Sequence, residues 1–423
     1  MTCLTGVRVL DLSRVFSGPW AGQMLADFGA EVIKVERPGR GDDVRQQGFR
    51  AKNAAGVETS ETTSFLAMNR GKRSITVDMS QAEGQALIRR LAAESDILIE
   101  NFKAGDLARY GLDYASLQAT HPKLVYCSIS GFGQTGPYSH QPGYDPIFQA
   151  MSGLMSITGH ADGEPGGGPM RTGFAVGDIT AGFYAVSAVL AALRHRDMVS
   201  GQGQHIDLAL FDAQVAALSH LAMIYLVTGQ QPARLGTASP ITCPYQAFEC
   251  ADAPIMIAVG NDSQFVKLCE CLGLPELAAD SRFKTNPDRA KHRLTLVPLL
   301  AEVLKTRRVA QWYADFDAAV CRVARSTIFQ RCSRTRRSCT ARCCNTCSIP
   351  PSARFRKSPT RCGFRLRRFT TNGRRRCSVN TRLRCCATCC RWTSKASPNC
   401  ASARSSDDNS GQRHGYRVHH YVS

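Results

Sequence analysis

The sequence predicts an α/β fold: a Rossmann-like large domain built on a parallel sheet, followed by a smaller α+β domain. Three observations predict it. Short apolar strand runs alternate with helical patterns over roughly the first half of the chain. Those runs are apolar nearly throughout, as strands of a parallel sheet covered on both faces should be. Near residue 225 the spacing changes to a hairpin pattern followed by helices.

The first strand is "VRVLDLS" (7–13) and the second "EVIKVE" (31–36). Between them "GPWAGQMLADFGA" has helical spacing and closes on a glycine stop. "SITVDM", "DILIEN" and "LVYCSIS" repeat the strand pattern, with "EGQALIRRLAAE" as an intervening helix. The strongest helix is 178–196, with Asp at its start, alanine-rich, and basic at its end. "QHIDLAL" is a further strand with another helix after it. "CPYQAFEC" and "PIMIAVG" then read as a hairpin, and helices follow at about 262–272, 291–306 and 309–317. The expected domains are residues 1–224, 225–319 and a tail, 320–423.

The 423 residues carry a net charge of +19, all of it from the tail. Residues 321–423 hold 24 Lys and Arg against Asp407 and Asp408, whereas residues 1–320 hold 29 basic and 32 acidic groups. Thirteen of the 19 cysteines also lie in the tail. A nucleic-acid-binding protein should carry basic residues on its folded body, so this balance excludes that class for the body. Six scattered cysteines, no charged-then-apolar leader, and "FYAVSAVLAAL" as the longest apolar run lead to the expectation of a cytoplasmic protein that does not enter a membrane. The first strand is not followed by G-x-G-x-x-G, so no nicotinamide or flavin is signalled. "SGPWAG" in that turn can receive a phosphate or simply make a tight turn, and spacing alone favours the turn.

Several stretches together resemble the family III CoA-transferases, the group of formyl-CoA, carnitine and glutarate CoA-transferases. They are "GVRVLDLSRVFSGPWAGQMLADFGAEVIKVERPGRGDDVR", "MNRGKRSITVDM", "ENFKAGDLARYGLDY", "LVYCSISGFGQTGPY", "GYDPIFQAMSGLMSITG" and "GDITAGFYAVSAVLAALRHR", in family order over some three hundred residues. The resemblance implies an interlocked homodimer and, at Asp178, a nucleophilic aspartate. A carboxylate suits that role because it can attack an acyl-CoA thioester, giving an acyl-aspartyl anhydride and then an aspartyl-CoA thioester. Asp178 is expected to stay ionised, helped by its place at a helix start. An aspartate at such a position also serves as a plain cap.

By motif position, the resemblance implies CoA contacts at Phe16, Ser17, Arg37, Asn69, Arg70, Gly71, Lys72, Asn101, Phe102, Lys103, Arg109, Ser130 and Gly131. Arg and Lys are the residue types that CoA phosphates require. CoA is then a substrate, with no further cofactor and no metal; the partners are acyl-CoA and a carboxylic acid. The racemase branch of the family has Gly-His-Asp where this chain has Gly143-Tyr144-Asp145. A phenol is a poor base near neutral pH, which favours transfer over racemisation. The stretches "RLGTASPITCPYQAF" and "AVGNDSQF" look closer to the glutarate or succinyl branch, whose acceptor is a dicarboxylate, than to the formyl branch with its glycine-rich loop.

The tail contains Cys344-x-x-Cys347 and Cys386-x-x-Cys389, too far apart for one zinc ribbon. Reading the codons of "AVCRVARSTIF" from the third base of Ala319 permits Gly-Val-Pro-Cys-Gly-Pro-Ile-Asn-Asp, the family's continuation. The same offset in "RRRCSVNTR" permits Pro-Pro-Leu-Leu-Gly-Glu-His-Thr. The expectation is a reading frame that slips near Ala319. The tail is then an out-of-frame product that does not dock on a sheet, and the chain's activity is in question.

Overall fold

The computed structural model describes residues 2–53, 55–319 and 323–325. Its strands are β1 (Arg8–Asp11), β2 (Glu31–Glu36), β3 (Arg50–Lys52), β4 (Glu58–Thr62), β5 (Arg73–Thr76), β6 (Ile97–Glu100), β7 (Val125–Ser130), β8 (His205–Ala209), β9 (Tyr245–Glu249), β10 (Pro254–Ala258) and β11 (Val323–Arg325). Six of them form one sheet in the order β5-β2-β1-β6-β7-β8, every pairing parallel. Numbered within that sheet alone, the order is 3-2-1-4-5-6, the doubly wound arrangement the sequence predicts. The strand order reverses between β1 and β6, and a crevice opens there at the strands' carboxyl ends.

Both faces of the sheet are covered, so its central strands are buried on alternate residues in both directions. Val9, Ile97, Ile99, Val125, Cys127 and Ile129 face the helices Ser17–Asp27 and Val176–His195. Leu10, Leu12, Leu98 and Tyr126 face the opposite layer, around Ile88, Leu112 and Leu117. Each fully buried aliphatic side chain contributes on the order of 1.5–3 kcal/mol, which is why these runs read as continuous apolar segments.

The helical stretch 176–200 is long and apolar enough to cross a membrane by length and composition. Its apolarity has another origin here. Ala181, Ala185, Val189 and Ala192 pack against the sheet, while Phe183 and Tyr184 stand about half exposed on the other side.

A second core gathers around the antiparallel sheet β11-β10-β9. Phe248, Ile255 and Ile257 pack there with Phe265, Leu296, Leu300, Trp312 and Phe316 from the helices that follow. Arg289 is buried in this core and donates to the carbonyls of Cys243 and Phe283 and to Asp262. The helix read at 291–306 is Arg293–Leu304, and a short helix not read from the sequence, Asn286–Lys291, precedes it. Residue 225, where the sequence reading divides the domains, lies inside the helix His220–Thr228, which stops at Gly229 with φ +69°.

One expectation is corrected. Residues 323–325 do dock on a sheet, pairing Ile255 with Arg325 and Ile257 with Val323. The exposed edge of β10 offers unpaired backbone groups that any extended segment can complete. The cysteine pairs and the rest of the tail lie outside the described residues.

Candidate active site

A cavity of about 220 Å³ sits at the reversal between β1 and β6. Three segments wall it: the turn after β1 with Phe16 and Ser17, the turn after β6 with Asn101, Phe102 and Lys103, and the residues after β7 with Ser130 and Gly131. Asp178 closes it from the long helix. Eight of the fourteen residues named from sequence therefore share one cavity.

Asp178 is the third residue of the helix Val176–His195, half-buried and pointed at the start of the helix Ser17–Asp27. The backbone N–H and the hydroxyl of Ser17 stand beside its carboxylate and favour the charged form. Close helix contact makes this possible. One turn beyond Asp178, Gly182 lies against Trp20 and Ser17, and a Cβ there would stand 2.7 Å from Trp20 Cδ1 and 3.2 Å from the Ser17 carbonyl oxygen. Gly182→Ala is expected to push the two helices apart, costing about 1–3 kcal/mol of stability by overpacking. Denaturant titration checks the loss, and the loosened Ser17–Asp178 contact should lower turnover as well.

Beneath Asp178 lies a second acid that sequence reading passed over. Asp145 is 5% exposed, accepts from the Gly177 N–H at 2.7 Å and from Gln149 Nε2 at 2.5 Å. Gln149 Oε1 in turn accepts from the Thr172 N–H at 2.9 Å, so the segment leading into the Asp178 helix is pinned. Burial, reinforced by the negative charge of Asp145, raises Asp178 to about 7 against the two Ser17 donors. This corrects the expectation of a fully ionised aspartate: loss of solvent and a neighbouring carboxylate outweigh the helix start. The signal was present in Gly143-Tyr144-Asp145, read only for its middle residue. Tyr144 is 72% exposed at the cavity rim, a poor setting for a base.

The remaining named residues lie elsewhere. Lys72 is buried, and its three N–H groups go to Asp11 Oδ2 at 2.7 Å, the Pro19 carbonyl at 2.8 Å and Asn69 Oδ1 at 2.9 Å. Burial pushes Asp11 up, but Lys72 and Lys34 outweigh it and hold its carboxyl below the usual range. Lys72 and Asn69 therefore brace the helix Ser17–Asp27 from below rather than line the cavity. Gly18 serves the same packing, since a Cβ there would meet Ser13 at 2.3 Å; the glycine of the turn is a close approach. Arg70 pairs with Asp27, and Gly71 makes the adjoining turn at φ +76°. Arg109 is exposed, 3.9 Å from Asp106 and over the ring of Tyr110.

Arg37 stands beside the cavity in a cluster not foreseen as such. Arg14, Arg37 and Arg40 converge on the single carboxylate of Asp43 at 3.8, 2.6 and 3.6 Å. Arg14 also lies over the Phe102 ring, 4.7 Å from its centroid. Three guanidiniums on one carboxylate leave a surplus of positive charge next to the Phe102 wall.

Comparison with known proteins identifies the family. The model of CoA-transferase family III matches residues 4–336. The chain is 52% identical over 303 residues to a succinate–glutarate CoA-transferase of Agrobacterium fabrum, covering 71% of this chain and 74% of that protein. It is 43% identical over 319 residues to succinyl-CoA:glutarate CoA-transferase of Mus musculus, covering 75% and 71%. Among solved structures, a CAIB/BAIF family protein from Brucella suis superposes with a TM-score of 0.70 at 44% identity, covering 80% of this chain and 88% of that one. With a doubly wound sheet, an aspartate at its switch point and relatives at this level of identity, the chain belongs to the family III CoA-transferases.

Proposed function

We propose that this protein moves CoA from succinyl-CoA to a dicarboxylic acid of the glutarate type, with Asp178 as nucleophile. The observation that carries the reading is the Asp178 carboxylate in the cavity lining, with the backbone N–H and hydroxyl of Ser17 beside it. The relatives named for succinyl-CoA and glutarate supply the substrate class.

The steps balance without a cofactor or metal. The Asp178 carboxylate attacks the thioester carbonyl, the C–S bond breaks, and a mixed anhydride and CoA thiolate result. The thiolate attacks the aspartyl carbonyl carbon, releasing succinate and leaving an aspartyl-CoA thioester. The acceptor carboxylate attacks that thioester and frees the thiolate again. The thiolate then takes the acceptor's acyl carbon from the second anhydride, and Asp178 leaves as the free carboxylate. Each attack on the aspartyl carbon builds negative charge on its oxygen, where the Ser17 N–H and hydroxyl already point. Phe16, Phe102 and Lys103 form the wall for CoA, and the Arg14–Arg37–Arg40 cluster supplies charge for its phosphates.

Succinyl-CoA with glutarate or another C4–C6 dicarboxylate should give transfer, followed by chromatography of the CoA esters. Formate and oxalate should not compete. Robust oxalate activity, or α-proton exchange with no acceptor present, would move the protein to another branch of the family.

The working form in this reading is a cytoplasmic homodimer. Phe183 and Tyr184 on the long helix, with Leu226 and Val227 on the helix His220–Thr228, are exposed apolar side chains of the kind a partner subunit covers. The thiols Cys127, Cys243, Cys250 and Cys269 are buried and form no disulfide among the described residues, which supports a reducing compartment. The frame slip near Ala319 remains part of the proposal, supported by the abrupt change of charge and cysteine content there. The nucleotide sequence around that codon decides it.

A further inference from the structure

Glu100 is a buried carboxylate that the transfer chemistry does not use and that no cation partners among the described residues. It ends β6, 5% exposed, directly before the Asn101–Lys103 turn that walls the cavity. One of its oxygens accepts from the Phe102 N–H at 2.8 Å. The strand register sets Glu100 beside Ser128 of β7, and the hydroxyl there favours the charged carboxylate. Ser128 Oγ lies 2.9 Å from His205 Nε2 on β8, and that imidazole is stacked on Tyr114 at 4.7 Å. Three neighbouring strands thus set a row of polar side chains behind one backbone N–H of the cavity wall.

We propose that Glu100 is a positioning residue for acyl-CoA, fixing the Phe102 wall through its backbone N–H while Ser128 and His205 hold Glu100 in place. The inference rests on the reading that CoA docks on this wall. A buried charge without a cation is costly to keep unless it does something for its neighbours. Here it supplies a charge-assisted acceptor to a turn that otherwise ends in a loop. Burial raises the Glu100 carboxyl to about 7 against the donors of Ser128 and Phe102, in keeping with the absence of a cation. The chain is also reversible. A glutamine at 100 can still accept from Phe102 through its amide oxygen, while its NH2 donates to Ser128 and the serine hydroxyl turns toward the imidazole.

That reversibility gives the test, made on the full chain with CoA itself as the binding probe and succinyl-CoA turnover as the second readout. Glu100→Ala should weaken CoA binding and raise the succinyl-CoA KM about tenfold, as expected for loss of one charge-assisted bond, with kcat within about twofold. Glu100→Gln should return both to within about twofold of wild type. Ser128→Ala, which removes only the support behind Glu100, should weaken CoA about threefold and serves if the alanine variant at 100 fails to fold. Unchanged CoA affinity in Glu100→Ala or Ser128→Ala overturns the inference, as does a glutamine variant no better than the alanine one. Phe102→Ala separates the two layers. If it leaves CoA affinity intact, the wall does not receive CoA, and reading and inference fall together. If it weakens CoA while the Glu100 and Ser128 variants do not, only the inference falls.

Discussion

Asp178→Ala is expected to abolish transfer, lowering kcat by at least about a thousandfold, while CoA binds nearly as tightly as to the wild type. The size follows from the role. Without the carboxylate there is no atom to form the anhydride or carry the CoA thioester, so the remaining cavity can only hold substrate. The split between kcat and affinity is the informative part. Asp178 and Phe102 are separate parts of the cavity lining, and Arg14 of the arginine cluster lies over the Phe102 ring. A variant that kept near wild-type turnover would remove Asp178 from the mechanism. One that lost CoA binding equally would make it a structural residue.

The second large effect is on pH. The attacking form of Asp178 is the carboxylate, and burial beside Asp145 raises its pKa to about 7. The sign follows directly. Lowering the pH protonates the nucleophile, so turnover should fall through neutrality, and at two pH units below the pKa only about one hundredth of the plateau should remain. Above neutrality the profile should be flat until another group titrates. Asp145→Asn removes the negative charge beneath the nucleophile and should move the acid limb to lower pH, since one of the two causes of the raised value is gone. Its amide meets the donating NH2 of Gln149, so some loss of plateau rate is expected as well. The limb is therefore compared after each variant is scaled to its own maximum. An acid limb unmoved in Asp145→Asn would show that the two carboxylates do not feel each other.

The large sheet was legible in the sequence because its strands are buried on both faces and so spell unbroken apolar runs. The pair β3 and β4, with mostly polar residues such as those of Glu58–Thr62, carries no such mark and was not foreseen. Asp178 and the walls at Phe16–Ser17, Asn101–Lys103 and Ser130–Gly131 were legible only through the family's motifs, since position at a strand end or helix start alone favours a plain turn or cap. Tertiary relationships were not. Nothing near Lys72 in sequence announces that Asp11, Pro19 and Asn69 take all three of its protons. The raised pKa of Asp178 depends on Asp145, which lies over thirty residues away in the chain and meets it only through Gly177. The two-helix contact at Gly182 and Trp20 is equally a product of packing.

The most direct test of the central claim is to trap the covalent intermediate. The protein is incubated with succinyl-CoA alone, quenched in acid, digested, and the CoA-bearing peptide is identified by mass spectrometry. The account predicts an aspartyl-CoA thioester on the peptide containing Asp178, discharged when glutarate is added before the quench. Turnover with no adduct, or an adduct on any other residue, would contradict it.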